Sequence, residues 1–228
     1  MMQILQHRRK AFRGGGGSSS LPFAAASTPY GAVNVATGNT NNPITLASGL
    51  TNGYIVAWVS FYDGAADAVT SVSFDGSSMT ELLGAGMSAG TRKAYLFGLA
   101  VGSKGAGTYS IQVNTSGPIE VYTHGIIAYN GAHQTVQDGA VDGASGTSIA
   151  PTVTIASTTG DLVVSTLYSD DAGSLTPGAD QTERQQLLHD GSGGAYSDEN
   201  GTTSTVASYT KGTSSPWLII AVSLKPAP

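Results

Sequence analysis

Four histidines, His7, His124, His133 and His189, are the groups whose ordinary pKa lies closest to neutrality, and there is no cysteine. A hydrolytic triad needs a nucleophile, a base and an orienting acid that converge in space. Serines are plentiful, but none lies in a Gly-x-Ser-x-Gly elbow leading into a helix. His124 falls inside an apolar run and reads as a histidine of a sheet. Asp170-Asp171 and Asp198-Glu199 are adjacent acid pairs near turns. Oxygen-rich loops can hold Ca²⁺, yet no Asp-x-Asp-x-Asp-Gly loop occurs, so the pairs read as solvated acids. The glycine loops lack the Gly-Lys-Ser/Thr ending of a phosphate cradle. Aromatic rings stack on apolar sugar faces. Trp58 and Trp217 sit in the most apolar runs and read as core, whereas Tyr30, Tyr62, Tyr168 and Tyr196 fall at strand ends or turns and are better placed for stacking. No catalytic residue, metal ligand or cofactor is assigned on these grounds.

The basic residues are concentrated elsewhere. Arg8, Arg9, Lys10 and Arg13 lie in the first thirteen residues, and no acid precedes Asp63. The rest of the chain carries six bases against fifteen acids. Four glycines at 14–17 and three serines at 18–20 follow the basic block and form a flexible linker. A secretory signal requires an apolar stretch at that place, so the block is not read as one. Residues 1–26 are expected to form an arm, and 27–228 the folded body. In the arm Ile4, Leu5 and Phe12 are the candidate apolar anchors. Arg8, Arg9, Lys10 and Arg13 are the candidate partners of carboxylates or phosphates on another protein. An acidic body has no basic face for nucleic acid. No apolar run approaches the roughly 20 residues that span a bilayer as a helix.

The elements that would position any site are strands. The run Gly53-Tyr54-Ile55-Val56-Ala57-Trp58-Val59-Ser60-Phe61 is rich in β-branched and aromatic residues and is bounded by turn residues, as is 216–224 near the C-terminus. Both are expected to be central strands. Further strands are expected at 32–36, 44–46, 69–74, 79–83, 93–100, 108–114, 119–129, 152–155, 162–168, 182–188, 195–198 and 205–209. Tyr109, Ile111 and Val113 alternate with polar residues, the period of a half-buried strand. Asp75-Gly76, Asn130-Gly131 and Asp190-Gly191 mark turns. The two halves rhyme, Asn52-Gly53-Tyr54-Ile55-Val56 with Gly160-Asp161-Leu162-Val163-Val164, which fits two small sandwiches or the two sheets of a larger one. The stretch 136–151, rich in Gly, Asp and Ser, is the candidate join. The reading favoured is a single all-β, two-sheet antiparallel sandwich of jelly-roll type.

The order of segments resembles a β-sandwich family of bacteriophage virion proteins and bacterial surface or secreted proteins. The resemblance runs over residues 50–225. It is carried by Gly53-Tyr54-Ile55-Val56-Ala57, Val69-Thr70-Ser71-Val72-Ser73-Phe74-Asp75-Gly76, Gly107-Thr108-Tyr109-Ser110-Ile111 and Ala128-Tyr129-Asn130-Gly131. The basic leader followed by glycines is similar to the start of small phage structural proteins. The resemblance implies a non-enzymatic virion component, a capsid decoration (cement) protein or a head or tail accessory. Its expected partners are the major capsid or other virion proteins, and it would form a homo-oligomer, by analogy a trimer. The competing expectation is a carbohydrate-binding or adhesin module.

Overall fold

The computed structural model describes residues 21–35, 40–63, 68–83, 87–135, 138–171 and 173–228. In chain order the strands are β1 (Phe23–Ala26), β2 (Tyr30–Val35), β3 (Thr40–Leu46), β4 (Leu50–Tyr62), β5 (Val69–Phe74), β6 (Ser77–Ser78), β7 (Thr80–Glu81), β8 (Met87–Ala89), β9 (Arg92–Lys104), β10 (Gly107–Thr115) and β11 (Ile119–Tyr129). The second half continues with β12 (Val141–Ser148), β13 (Thr152–Ala156), β14 (Leu162–Ser169), β15 (Leu175–Pro177), β16 (Thr182–His189), β17 (Ser192–Asn200), β18 (Ser204–Lys211) and β19 (Ser215–Leu224). The expected all-β antiparallel architecture forms, but the single two-sheet sandwich does not: the strands make four sheets, two in each half.

In the first half, one sheet runs β1-β11-β4-β9-β7, with β2 extending the β1 edge along β11 and β8 lying beside β9, and a second sheet runs β3-β10-β5-β6. In the second half the orders are β12-β19-β14-β17-β16 and β13-β18-β15. Each strand from β12 to β19 has a counterpart in the series β2, β3, β4, β5, β8, β9, β10 and β11, at the same place in the same sheet. Both halves therefore share one eight-strand topology, jelly-roll-like except that β16 lies beside β17, so that the second half divides five strands against three.

Four layers result, and the period-two alternation of β4 shows why. Ile55, Ala57, Val59 and Phe61 point to the outer sheet and pack with Ile44, Val72, Phe74 and Ile111. Tyr54, Val56 and Trp58 point the other way, against Leu162, Val164, Leu218 and Ile220 of the second half. A third core lies between β13, β15 and β18 on one side and Val163, Leu167, Ile219 and Ala221 on the other. A strand buried on both faces has no polar alternation to keep, so β4 and β19 read as unbroken apolar runs.

Two boundaries differ from expectation. The arm was drawn to residue 26, but Leu21 is buried and β1 pairs antiparallel with β11, so 21–26 belong to the body. The 136–151 join contains a full strand, β12, paired along its whole length with β19. Its residues have little strand propensity. They are held by β19, and Gly146 makes room for the indole of Trp217, since a Cβ there would lie 2.8 Å from the ring. Asp75-Gly76 and Asp190-Gly191 are two-residue hairpin turns with positive φ at both positions, as their sequences foretell. The partner-binding candidates Ile4, Leu5, Arg8, Arg9, Lys10, Phe12 and Arg13 lie outside the described residues.

Candidate functional site

The seam between the two inner sheets holds two buried polar clusters that tie the halves together. Trp58 is fully buried there, and its indole N–H donates to Gln185 Oε1 at 2.6 Å. The Gln185 amide nitrogen donates in turn to the Ser27 carbonyl at 2.6 Å and to its hydroxyl at 3.1 Å. Gly125 and Gly194 permit this approach. A Cβ on Gly125 would sit 2.2 Å from Gln185 Oε1, and one on Gly194 would sit 2.4 Å from the Trp58 ring. Trp58 is therefore core, and so is Trp217, whose indole N–H donates to Ser148 Oγ at 3.0 Å.

A second knot joins Tyr129, Asp198 and Arg184. The Tyr129 hydroxyl donates to Asp198 Oδ2 at 2.8 Å, and Arg184 Nε donates to the same oxygen at 2.7 Å. The guanidinium lies 4.4 Å from the centre of the Phe23 ring. Burial, reinforced by the Asp198 charge, pushes the Tyr129 phenol well above its ordinary range, and burial does the same to Tyr196. These phenols hold their protons and are not nucleophiles; Tyr129 is the donor to Asp198, and the Tyr196 hydroxyl lies 3.3 Å from that of Tyr129 on the accepting side.

At one end of the seam the halves part to leave a cleft of about 340 Å³, lined by Tyr62, Arg92, Tyr168, Asp170, Asp190 and Ser192. Tyr62 ends β4, Arg92 opens β9, and Asp190 is at the tip of the β16–β17 hairpin. Arg92 holds Asp170 through Nε at 2.6 Å and through a second guanidinium nitrogen. That hydrogen bond raises the arginine's pKa against the desolvation that lowers it. The Tyr168 hydroxyl donates to the other Asp170 oxygen at 2.5 Å, and burial together with that carboxylate raises its pKa. The Arg92 guanidinium lies 5.8 Å from the centre of the Tyr62 ring. Of the tyrosines marked for sugar stacking, Tyr62 and Tyr168 meet here, Tyr196 is buried in the seam, and Tyr30 packs against His124 and Tyr122.

A second cleft, about 460 Å³, is lined by Asp180, Glu199, Asn200, Thr202, Thr205 and Val206. Desolvation, then the charges of Asp180 and Asp198, push Glu199 up to about 7. The adjacent pair Asp198-Glu199 does not act together, because consecutive strand residues face opposite sides. Asp198 enters the seam and Glu199 the cleft. In the other pair Asp170 faces the seam cleft, while Asp171 accepts backbone N–H groups from Gly173 and Thr213, both at 2.8 Å. Those bonds, that of Gly173 first, draw its pKa down. Among the described residues no three His, Asp or Glu side chains converge as a metal site.

The histidines stay apart. His124 is 0 % exposed between Tyr30 and Tyr122, and neither ring nitrogen has a hydrogen-bond partner among the described residues. Desolvation pushes it down to about 3. His133 Nδ1 accepts the Thr135 N–H at 3.2 Å and lies 3.4 Å from Asp138. His189 closes β16, and His7 lies outside the described residues.

The solvent faces of the outer sheets are of another kind. Thr45, Thr108 and Ser71 on one, and Thr152, Thr154, Thr176, Ser204 and Thr210 on the other, are exposed; the outward face of β18 also carries Val206, which is 50% exposed. No helix among the described residues is long and apolar enough to cross a membrane.

No family model matches the chain, and no curated protein matches it. Among solved structures, a tryptophan-to-phenylalanine variant of oxalate decarboxylase from Bacillus subtilis is 7% identical, covers 94% of this chain and 78% of its own, and has a TM-score of 0.15. The same enzyme at pH 4.6 is 8% identical over the same shares, with a TM-score of 0.14. Scores this low speak neither to the fold nor to the chemistry of this chain.

Proposed function

We propose that the chain is a non-enzymatic structural protein of a phage particle, a capsid decoration protein that stabilises the assembly. The observation that supports this reading is the build of the body. Two jelly rolls share an apolar seam, and the ion pairs of the block are spent on internal ties: Arg92 with Asp170, Lys104 with Asp75 and Arg184 with Asp198. The outer sheets offer uncharged, hydroxyl-bearing faces suited to packing beside neighbours. The virion setting comes from the strand-and-turn resemblance and from the basic leader.

In this reading the leader attaches the block. Arg8, Arg9, Lys10 and Arg13 pair with acidic groups on the major capsid or another virion protein, while Ile4, Leu5 and Phe12 anchor the contact. A segment that orders on binding gives up affinity to entropy, and repetition around a symmetry axis restores it as avidity. A homo-oligomer, a trimer at threefold positions, supplies that repetition.

The test is co-sedimentation with particles of its own virus stripped of this protein, comparing the full chain with a chain lacking residues 1–20. The full chain should pellet with particles and the shortened one should stay in the supernatant. Equal pelleting would overturn the role of the leader, and absence of pelleting by both would overturn the virion reading.

A further inference from the structure

The geometry points to the seam cleft as a binding site for a neutral hexose unit of a glycan, a capacity that attachment through the leader does not require. A hexose offers a ring of hydroxyls, each both donor and acceptor, and apolar C–H faces. A site for it needs polar groups fixed in direction beside an aromatic or apolar wall, within a concavity of a few hundred Å³. The cleft, about 340 Å³, meets each need.

The polar groups are held rigidly. A guanidinium carries five N–H donors in one plane. Asp170 Oδ2 takes two of the Arg92 nitrogens, and the remaining donors stay in a known plane. Tyr168 and Arg92 together immobilise the Asp170 carboxylate, whose spare lone pairs remain acceptors. The Ser192 hydroxyl spends its proton on the His189 carbonyl at 3.2 Å and keeps its oxygen as an acceptor. Asp190 is set on the rim by a turn in which its own φ is +45°. The half-buried Tyr62 contributes the aromatic wall.

The charge balance selects the class. Arg92 and Asp170 cancel, and Asp190 leaves the cleft with one net negative charge, which disfavours uronic and sialic acids. The same net charge would draw a cation, so a basic peptide is the competing occupant that the test includes. The two arginines are about equally exposed, Arg92 at 26% and Arg184 at 25%, but the Asp170 side chain is 20% exposed where that of Asp198 is only 3%, so of the two carboxylates Asp170 is the one open to solvent.

The test uses the full chain. Saturation-transfer NMR is run with the methyl glycosides of glucose, galactose, mannose and N-acetylglucosamine, with methyl glucuronide and with an oligolysine peptide as contrasts. At least one neutral glycoside should bind with a millimolar Kd. Tyr62→Ala and Asp190→Asn, the latter keeping a residue at ease with positive φ, should each weaken it at least tenfold. Should Tyr62→Ala lower the melting temperature, Asp190→Asn decides. Failure of every neutral glycoside, equal binding of the glucuronide, binding of the peptide alone, or affinity unchanged by Asp190→Asn would each overturn the assignment.

Discussion

His124 provides a direct measurement of how dry the first jelly roll is. Its imidazole is wholly enclosed, and burial lowers its pKa from 6.5 to about 3. Between those values the unfolded chain takes up a proton that the folded chain refuses. Stability from this residue is thus complete above pH 6.5 and falls as pH drops toward 3. At pH 5 the unfolded state gains about 2 kcal/mol from this one group, at about 1.4 kcal/mol per pH unit. His124→Phe removes the proton site and keeps a ring between Tyr30 and Tyr122. Whatever packing cost the larger ring brings is the same at both pH values.

The assay is urea unfolding of parent and variant at pH 7.5 and pH 5.0. At a slope of about 2–3 kcal/mol per molar urea, the parent should lose about 0.7–1 M more in midpoint than the variant. Glu199 acts with the opposite sign. It is held near 7, so its contribution is present at low pH and fades as pH rises from 4.5 through 7. It is present in both proteins and cancels in the comparison. Equal pH sensitivity in parent and His124→Phe would refute the reasoning, and His124→Leu repeats the test if the phenyl ring does not pack.

Three other outcomes follow from the packing. Gln185→Leu strands the indole N–H of Trp58 and the carbonyl of Ser27, and urea unfolding should show a loss of about 2–4 kcal/mol; a loss below about 0.5 kcal/mol would contradict it. Gly194→Ala forces a methyl group against the Trp58 ring, and calorimetry should record a loss of about 1–3 kcal/mol with a shift in tryptophan emission; unchanged melting would show that the ring has room to move. Removing residues 1–20 should leave the melting temperature of the body in place, whereas removing 1–26 takes away buried Leu21 and β1 and should lower it by about 4–8 °C; identical melting would return 21–26 to the arm.

How much of this was legible depends on where the determining contact lies. The strand β10 is written in its own alternation, and β4 and β19 in unbroken apolar runs. Those two runs also held a signal for four layers that the expectation of two sheets passed over, because a strand buried on both faces needs a sheet on each side of it. β12 was not legible. Val141-Asp142-Gly143-Ala144-Ser145-Gly146-Thr147-Ser148 becomes a strand only because β19 offers a complete ladder, and Gly146 is explained by Trp217 across that ladder. The same limit applies to the cleft. Tyr62 and Tyr168 could be marked as strand-end aromatics, but Arg92, Asp190 and Ser192 join them from other strands with no spacing that announces it. Gln185 and Ser27, which hold the seam, are 158 residues apart and unremarkable in their local sequence.

The seam itself poses a problem of register that its polar ties answer. Two sheets meeting through Val56, Ile127, Val164 and Ile220 present aliphatic surfaces that pack about as well at several offsets. A slip of one residue along a strand is about 3.3 Å, more than a hydrogen bond tolerates. Trp58–Gln185, Tyr129–Asp198–Arg184 and Arg92–Asp170 can all be satisfied at one offset only, and each tie broken in a buried setting costs about 1–3 kcal/mol. Their effect is less to strengthen the contact than to exclude its alternatives. The cleft depends on that exclusion, since Tyr62 and Arg92 come from one jelly roll and Asp170, Asp190 and Ser192 from the other. Loosening Gln185 deep in the seam should therefore blur the cleft at its end, even though the two never touch.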